Sequence, residues 1–117
     1  MVSKGALVRF LKEAHLIDRG DPAIAMDSAD LSGANLSDIK NLAGVNLAGA
    51  NLTNTNLVGV NLIRANLNLA DLSGTDLSQA DLSYTYLKGA IGITTEQLEK
   101  QAKSLKGATM PDGSQHP

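Results

Sequence analysis

Eleven asparagine or aspartate side chains fall on one grid in this chain: Asp30, Asn35, Asn41, Asn46, Asn51, Asn56, Asn61, Asn66, Asp71, Asp76 and Asp81. Residues of this type ligate hard cations, and carboxylates in pairs carry out general acid–base chemistry. Either use requires side chains that converge on one point. Successive members here stand five residues apart, with six between Asn35 and Asn41. Neither the turn of a helix nor the alternation of a strand gathers that spacing on one face. The two histidines, His15 and His116, have no nucleophile or ligand at a useful spacing. The absence of cysteine removes thiol catalysis, disulfides and Cys-ligated zinc. No phosphate-binding loop, dinucleotide fingerprint or zinc-helix motif occurs, so no catalytic residue, metal or cofactor is expected.

The grid is one position of a longer pattern. A leucine follows each member, at Leu31, Leu36, Leu42, Leu47, Leu52, Leu57, Leu62, Leu67, Leu72, Leu77 and Leu82, and Leu87 continues the series. The residue before each member is mostly small, as at Ala34, Ala50, Thr55, Ala65 and Ala80. Small, polar, leucine reads as in, out, in, which is strand logic lasting three residues. The two residues that close each pentad are turn formers, with glycine at Gly33, Gly44, Gly49, Gly59, Gly74 and Gly89. A three-residue side followed by a corner takes the chain round a square. Four pentads then close a coil of twenty residues, and the twelve leucine-centred pentads make three coils. Coils stacked about 4.8 Å apart pair their backbones along the stack, with the leucine centres as core. Asp71, Asp76 and Asp81 then face three directions, and the grid residues are expected to bond to nearby backbone and neighbouring coils rather than to a ligand.

The six-residue step across "LSDIKNL" inserts one residue, and strict counting would point Lys40 inward. A bulge that turns Ile39 in and Lys40 out is expected, and it is a secondary candidate site. The resulting columns are Met26, Leu47, Leu67, Leu87; Leu31, Leu52, Leu72; Leu36, Leu57, Leu77; and Leu42, Leu62, Leu82.

The flanks differ. Residues 1–23 hold an amphipathic helix with Ser3 as N-cap and Leu7, Phe10, Leu11, Ala14 and Ile17 on one stripe, ended by Gly20 and Pro22. Residues 24–92 are the repeats. Residues 93–117 open on "TTEQLEKQAKSLKG", with Thr94 and Gln97 at capping-box spacing, an apolar row of Leu98, Ala102 and Leu105, and Gly107 as the stop. A flexible tail is expected beyond it.

The A(D/N)LXX pattern resembles the pentapeptide-repeat family. The resemblance implies an all-β solenoid, a right-handed quadrilateral β-helix, here of about three coils and capped by a short α-helix at each end. "LVRFLKEAHLI" and "TTEQLEKQAKSLKGATMPDG" resemble the end segments of members abundant in cyanobacteria. The family includes proteins thought to mimic DNA and bind type II topoisomerases, so a DNA-mimicking regulator of a nucleic-acid enzyme is the alternative reading. Those members are typically longer, richer in Phe at the centre, dimeric and lined with acidic stripes. Here all twelve regular centres are Leu, and residues 24–92 carry six Asp against Lys40, Arg64 and Lys88, a thinly spread charge.

Net charge is −2 and no basic run occurs, so direct nucleic-acid binding is not expected. No stretch approaches the ~20 apolar residues of a membrane span. "MVSKGALVRFLKEAHL" interrupts its apolar stretch with Arg9, Lys12 and Glu13 and does not read as a signal peptide, which points to the cytoplasm. One Phe, two Tyr and no Trp imply a narrow core without room for a catalytic cavity, and hence no enzyme. Stacking the outward positions by twenty places Arg64 under Tyr84 with Ile63 beside it, and Tyr86 and Leu69 on the adjoining face and corner. This set is either a surface cation–π pair with scattered apolar neighbours or an interface patch. The expected function is a rigid scaffold or protein-binding module whose partner is another protein. Helices at both ends remove free coil edges, so a monomer is expected.

Overall fold

The computed structural model describes residues 4–13 and 26–117. From Met26 onward the chain climbs in coils. The Leu31 N–H donates to the Asn51 carbonyl at 2.9 Å, Leu52 to Asp71 at 3.0 Å and Leu72 to Ile91 at 2.8 Å, and three further columns repeat the arrangement. Parallel single-residue bridges join the same positions, as in Asn41 to Asn61 to Asp81. Only the middle residue of each side bridges. The strands expected from the in–out–in alternation are therefore one bridge long, because the residues on either side already enter corners. All twelve leucine centres are buried, and Met26 lies beneath Leu47 at the foot of its column. The threonines that replace alanine at the small position keep the interior satisfied: Thr55, Thr75 and Thr85 donate their hydroxyls to the carbonyls of Leu31, Leu52 and Leu62 at 2.9, 2.6 and 2.7 Å.

Each corner is a β-turn closed by the next small residue, as where the Ala65 N–H reaches the Leu62 carbonyl at 2.9 Å. Except at the Leu36–Ile39 corner, its third residue takes a positive φ, as a type II turn demands, and glycine holds that place at Gly33, Gly59 and Gly74 among others. The Asn/Asp grid supports these corners. Oδ1 of Asn61 accepts the Ile63 N–H at 2.9 Å, and Oδ1 of Asp71 accepts both the Ser73 N–H at 3.0 Å and its hydroxyl at 2.7 Å. The bonds run to the residue two ahead, not to neighbouring coils. In Asp30, Asp71, Asp76 and Asp112 the serine hydroxyl, followed by the serine N–H, holds the carboxyl below its usual range.

The inserted residue is absorbed at one corner. Bridges below it span twenty-one residues, as in Asn35 to Asn56, and Asn41 to Asn61 returns to twenty. Ile39 is half-buried against the core, while Lys40 is exposed at φ +33° and its carbonyl accepts the Asn61 N–H at 2.7 Å.

The ends depart further from expectation. Helix α1, Lys4–Glu13, sets Val8 against the core, and the Lys4 ammonium donates to the Ser32 hydroxyl at 2.9 Å. Ser3, Ala14, His15, Ile17, Gly20 and Pro22 lie outside the described residues, as do the side chains of Leu7, Phe10 and Leu11. Helix α2, Thr95–Gln101, opens on the Thr94–Gln97 capping box and buries Leu98. It was expected to run to Gly107. It stops at Gln101 because Ala102 turns extended and the Lys103 N–H donates to the Ala80 carbonyl at 2.8 Å, rejoining the ladder.

Residues 103–117 rejoin the ladder, including the stretch beyond Gly107 for which a flexible tail is expected. Ser104 bridges Asp81 and Thr109 bridges Tyr86, with Leu105 and Met110 buried above Leu82 and Leu87. The chain then folds back antiparallel, Thr109 to Gln115, with the His116 N–H on the Ala108 carbonyl at 2.8 Å. The physical reason is the open rung of the third coil, whose free N–H and C=O groups are paired by whatever chain follows. Where α2 displaces that rung, Gln101 stands in. Its Oε1 accepts the Leu77 N–H at 2.9 Å and its carbonyl the Gln79 N–H at 2.8 Å.

Leu62→Ala empties a site between Leu42 and Leu82 that cannot collapse, and urea or thermal unfolding should register a loss of about 2–5 kcal/mol. The aspartate turns give a pH test. A carboxyl depressed in the folded chain adds stability that is present above its unfolded value of about 3.9 and is lost as pH falls through the folded value. The double substitution of Asp71 and Asp76 by Asn, which makes the same turn elsewhere in the grid, should leave the neutral-pH melting temperature nearly unchanged. It should also flatten the acid limb. An acid limb as steep as that of the parent would refute the assignment.

Candidate protein interface

Stacked by coil, the corners form four columns, and a side chain at a corner leans over the same corner of the next coil. A Cβ on Gly89 would lie 2.6 Å from Leu69 Cδ2, and one on Gly107 would lie 2.5 Å from the Tyr84 ring. Ser28 lies similarly under Gly49, and Asn54 under Gly74. Non-glycine residues pay a strain of about 1–3 kcal/mol in this left-handed region, so each needs a compensating contact or an open neighbour. Glycine above a side chain is the rule. Among the described corners Arg64, at φ +61°, breaks it by leaning over Tyr84, at φ +59°. The Arg64 guanidinium carbon lies 5.2 Å from the centroid of the Tyr84 ring. The ring is thus held between a cation below and the bare backbone of Gly107 above.

This corner opens a wall. Among the described residues the exposed large apolar side chains are Leu69 (70% exposed), Tyr84 (41%), Tyr86 (50%) and Ile91 (58%). Tyr84 stands at the first corner, Tyr86 at the wall's middle between Asn66 and Thr109, and Leu69 at the next corner beneath Gly89. Ile91 follows round that corner, above Asp71. The structure therefore brings Arg64, Tyr84, Tyr86 and Leu69 together. Ile63 is half-buried on the side that precedes the Arg64 corner. The Ile39–Lys40 bulge sits a corner earlier and a coil lower, and does not join them. A shallow recess lies at the Leu69 corner, between Asn68, Leu69 and Lys88.

Sequence reasoning missed Ile91. It occupies the polar grid position of a side, 90–92, whose centre is Gly92 instead of leucine, so the count stops at Leu87. The signal was Ala90, the small residue five after Thr85. Among the described residues no three His, Cys, Asp or Glu side chains could hold a metal ion, and no helix is long and apolar enough to cross a membrane.

Eight copies of the pentapeptide-repeat family model match across residues 41–79 and 56–91. No curated protein matches the chain. Among solved structures it is similar to HetL, a pentapeptide repeat protein involved in heterocyst differentiation regulation from the cyanobacterium Nostoc sp. strain PCC 7120, with 39% identity over 79% of this chain and a TM-score of 0.43. It is also similar to a pentapeptide repeat protein from the Arabidopsis thaliana thylakoid lumen, with 28% identity over 74% of this chain and a TM-score of 0.47. The chain spans 43% of the first and 61% of the second.

The Arg64–Tyr84–Gly107 stack can be tested as a unit. Gly107→Ala and Gly59→Ala both place a Cβ at positive φ, but only the first meets a ring, since nothing stands within 4 Å of the second. Gly107→Ala should cost about 0.5–1 kcal/mol more than Gly59→Ala, the worth of the cation–π contact surrendered when the ring swings away. In a Tyr84→Ser background the excess should vanish, and an excess that persists would show that the ring is not held there.

Proposed function

This chain belongs to the pentapeptide-repeat family, and from that premise we propose that it is a rigid, non-enzymatic protein-binding module. In this reading the repeats form a right-handed quadrilateral solenoid of about three leucine-centred coils, closed by a helix-bearing segment at each end, and the protein works as a monomer. The observation that carries the reading is the gathering of exposed large apolar side chains, with Arg64, about one wall. Tyrosine and arginine beside aliphatic side chains on a stiff support have the composition of an interface hot spot. Stiffness matters as much as composition. The wall is bonded above and below at every rung, so little conformational entropy remains to be lost on binding. A filled interior of leucine centres favours work done on the outside rather than chemistry within. The nucleic-acid-mimic reading needs a track of carboxylates, whereas Asp71, Asp76 and Asp81 stand on three successive sides.

Replacing Arg64, Tyr84 and Tyr86 together by serine tests the reading. Ser28 already occupies a corner at φ +60°, so the triple variant should fold and melt close to the parent. Capture of partner proteins from native-cell lysate should fall at least tenfold, equivalent to about 1.4 kcal/mol. Capture at the parental yield by a folded triple variant would move the search elsewhere, first to the Ile39–Lys40 bulge.

A further inference from the structure

Charge is distributed about the solenoid in a way that the apolar patch does not require. The wall built from residues 44–49, 64–69 and 84–89 contains no carboxylate, and Arg64 and Lys88 are its charged groups. Each of the other three walls carries at least one aspartate: Asp30 and Asp71, Asp38 and Asp76, and Asp81. At the ends of the basic wall stand Asp27, in the first coil, and Asp112, whose Oδ1 is taken by the N–H and hydroxyl of Ser114 at 2.9 and 2.6 Å. A third cation, Lys106, borders the Tyr84 corner, its carbonyl accepting the Tyr84 N–H at 2.8 Å. Ion pairs among the described residues include Lys100 with Glu96 at 3.2 Å and His116 with Glu99 at 3.7 Å, and none pairs Arg64, Lys88 or Lys106 with a described carboxylate. In a chain of net charge −2, the wall that exposes the tyrosines is the one whose three repeat rungs carry cations and no carboxylate.

We propose that this wall takes an extended, acidic segment of a partner protein, with an apolar side chain at its centre and a carboxylate on either side. The inference rests on the protein-binding reading and gives the partner its chemistry. Arg64 guards one corner beside Tyr84 and Lys88 the other, four residues along from Tyr84, a reach of at most about 13 Å at strand rise. An extended segment covers that distance with acidic residues about four apart, whereas the same spacing on a helix covers only about 6 Å. The central apolar side chain lies over Tyr86 and enters the recess between Asn68, Leu69 and Lys88. Carboxylates supply selection here, since they steer approach and penalise basic competitors.

The test uses the full chain and fluorescently labelled nine-residue peptides with a central leucine or phenylalanine, flanked at four-residue separation by two Glu, two Gln or two Lys. An oligothymidylate serves as a further competitor. The Glu peptides should bind at least tenfold tighter than the Gln peptides, the Lys peptides weakest, and the preference should shrink as salt rises. In a variant combining Arg64→Gln with Lys88→Gln the preference should fall to within twofold, and Gln79 at φ +61° shows that glutamine is tolerated at such a corner. Equal affinity for Glu and Gln peptides, preference for Lys peptides, tighter binding of the oligonucleotide, no peptide binding, or a preference unchanged in the variant would each overturn the proposal. If lysate capture still depends on Arg64, Tyr84 and Tyr86 while Glu and Gln peptides bind alike, the acidic segment is refuted and the protein-binding reading stands. If capture is insensitive as well, both fall.

Discussion

The contact on which everything else depends is leucine against leucine along the stacking axis. Leu42, Leu62, Leu82 and Leu105 lie one above another at rung spacing, and the other columns repeat the arrangement. Each fully buried leucine contributes about 1.5–3 kcal/mol of apolar transfer, and each is held from above and below as well as from the opposite sides of the square. A square of this width accepts one leucine and one small residue per side. That limit suits a period of five, and in the described coils leucine and small residues fill the interior.

Corners carry the second constraint. Nearly every side ends in a turn with a residue at positive φ, and the coils stack so closely that a side chain there overhangs the corner above it. The chain meets this by placing glycine above Ser28, Asn54, Leu69 and Tyr84. Arg64 beneath Tyr84 is tolerated because a guanidinium can lie flat on a ring face, turning a steric conflict into an attraction. The same stack fixes the tyrosine in one orientation. A surface built this way is preorganised by the core behind it, which links the leucine columns to the wall on which the proposed partner binds.

The end of the solenoid obeys a different rule from its middle. With Gly92 at the centre of its side the leucine code lapses, yet the third coil still presents a rung of unpaired backbone groups. Helix α2 covers the core with Leu98, Gln101 imitates a rung with its side-chain amide, and residues 103–117 complete the layer before folding back over it. Backbone satisfaction, not side-chain periodicity, organises this layer. It also completes the wall, because Gly107 above Tyr84 and Thr109 above Tyr86 belong to it.

The sequence by itself determined whatever repeats. A period of five with alternating burial specifies a square coil and its leucine columns. A period of twenty, corrected by one residue at Ile39–Lys40, predicts that Arg64 stacks on Tyr84, because a regular solenoid turns spacing along the chain directly into neighbourhood in space. Tertiary structure alone decided what does not repeat. Helix α2 stretches the last register to twenty-three residues, Asp81 to Ser104 and Tyr86 to Thr109, and no periodic count reaches Gly107 across that step. The turn-rich sequence from Ala108 to Pro117 carries little local preference for order, and Ile91 sits on a side with no leucine to announce it. Their places follow from the unpaired rung of the third coil, a long-range demand that exists only once the coils beneath it have formed.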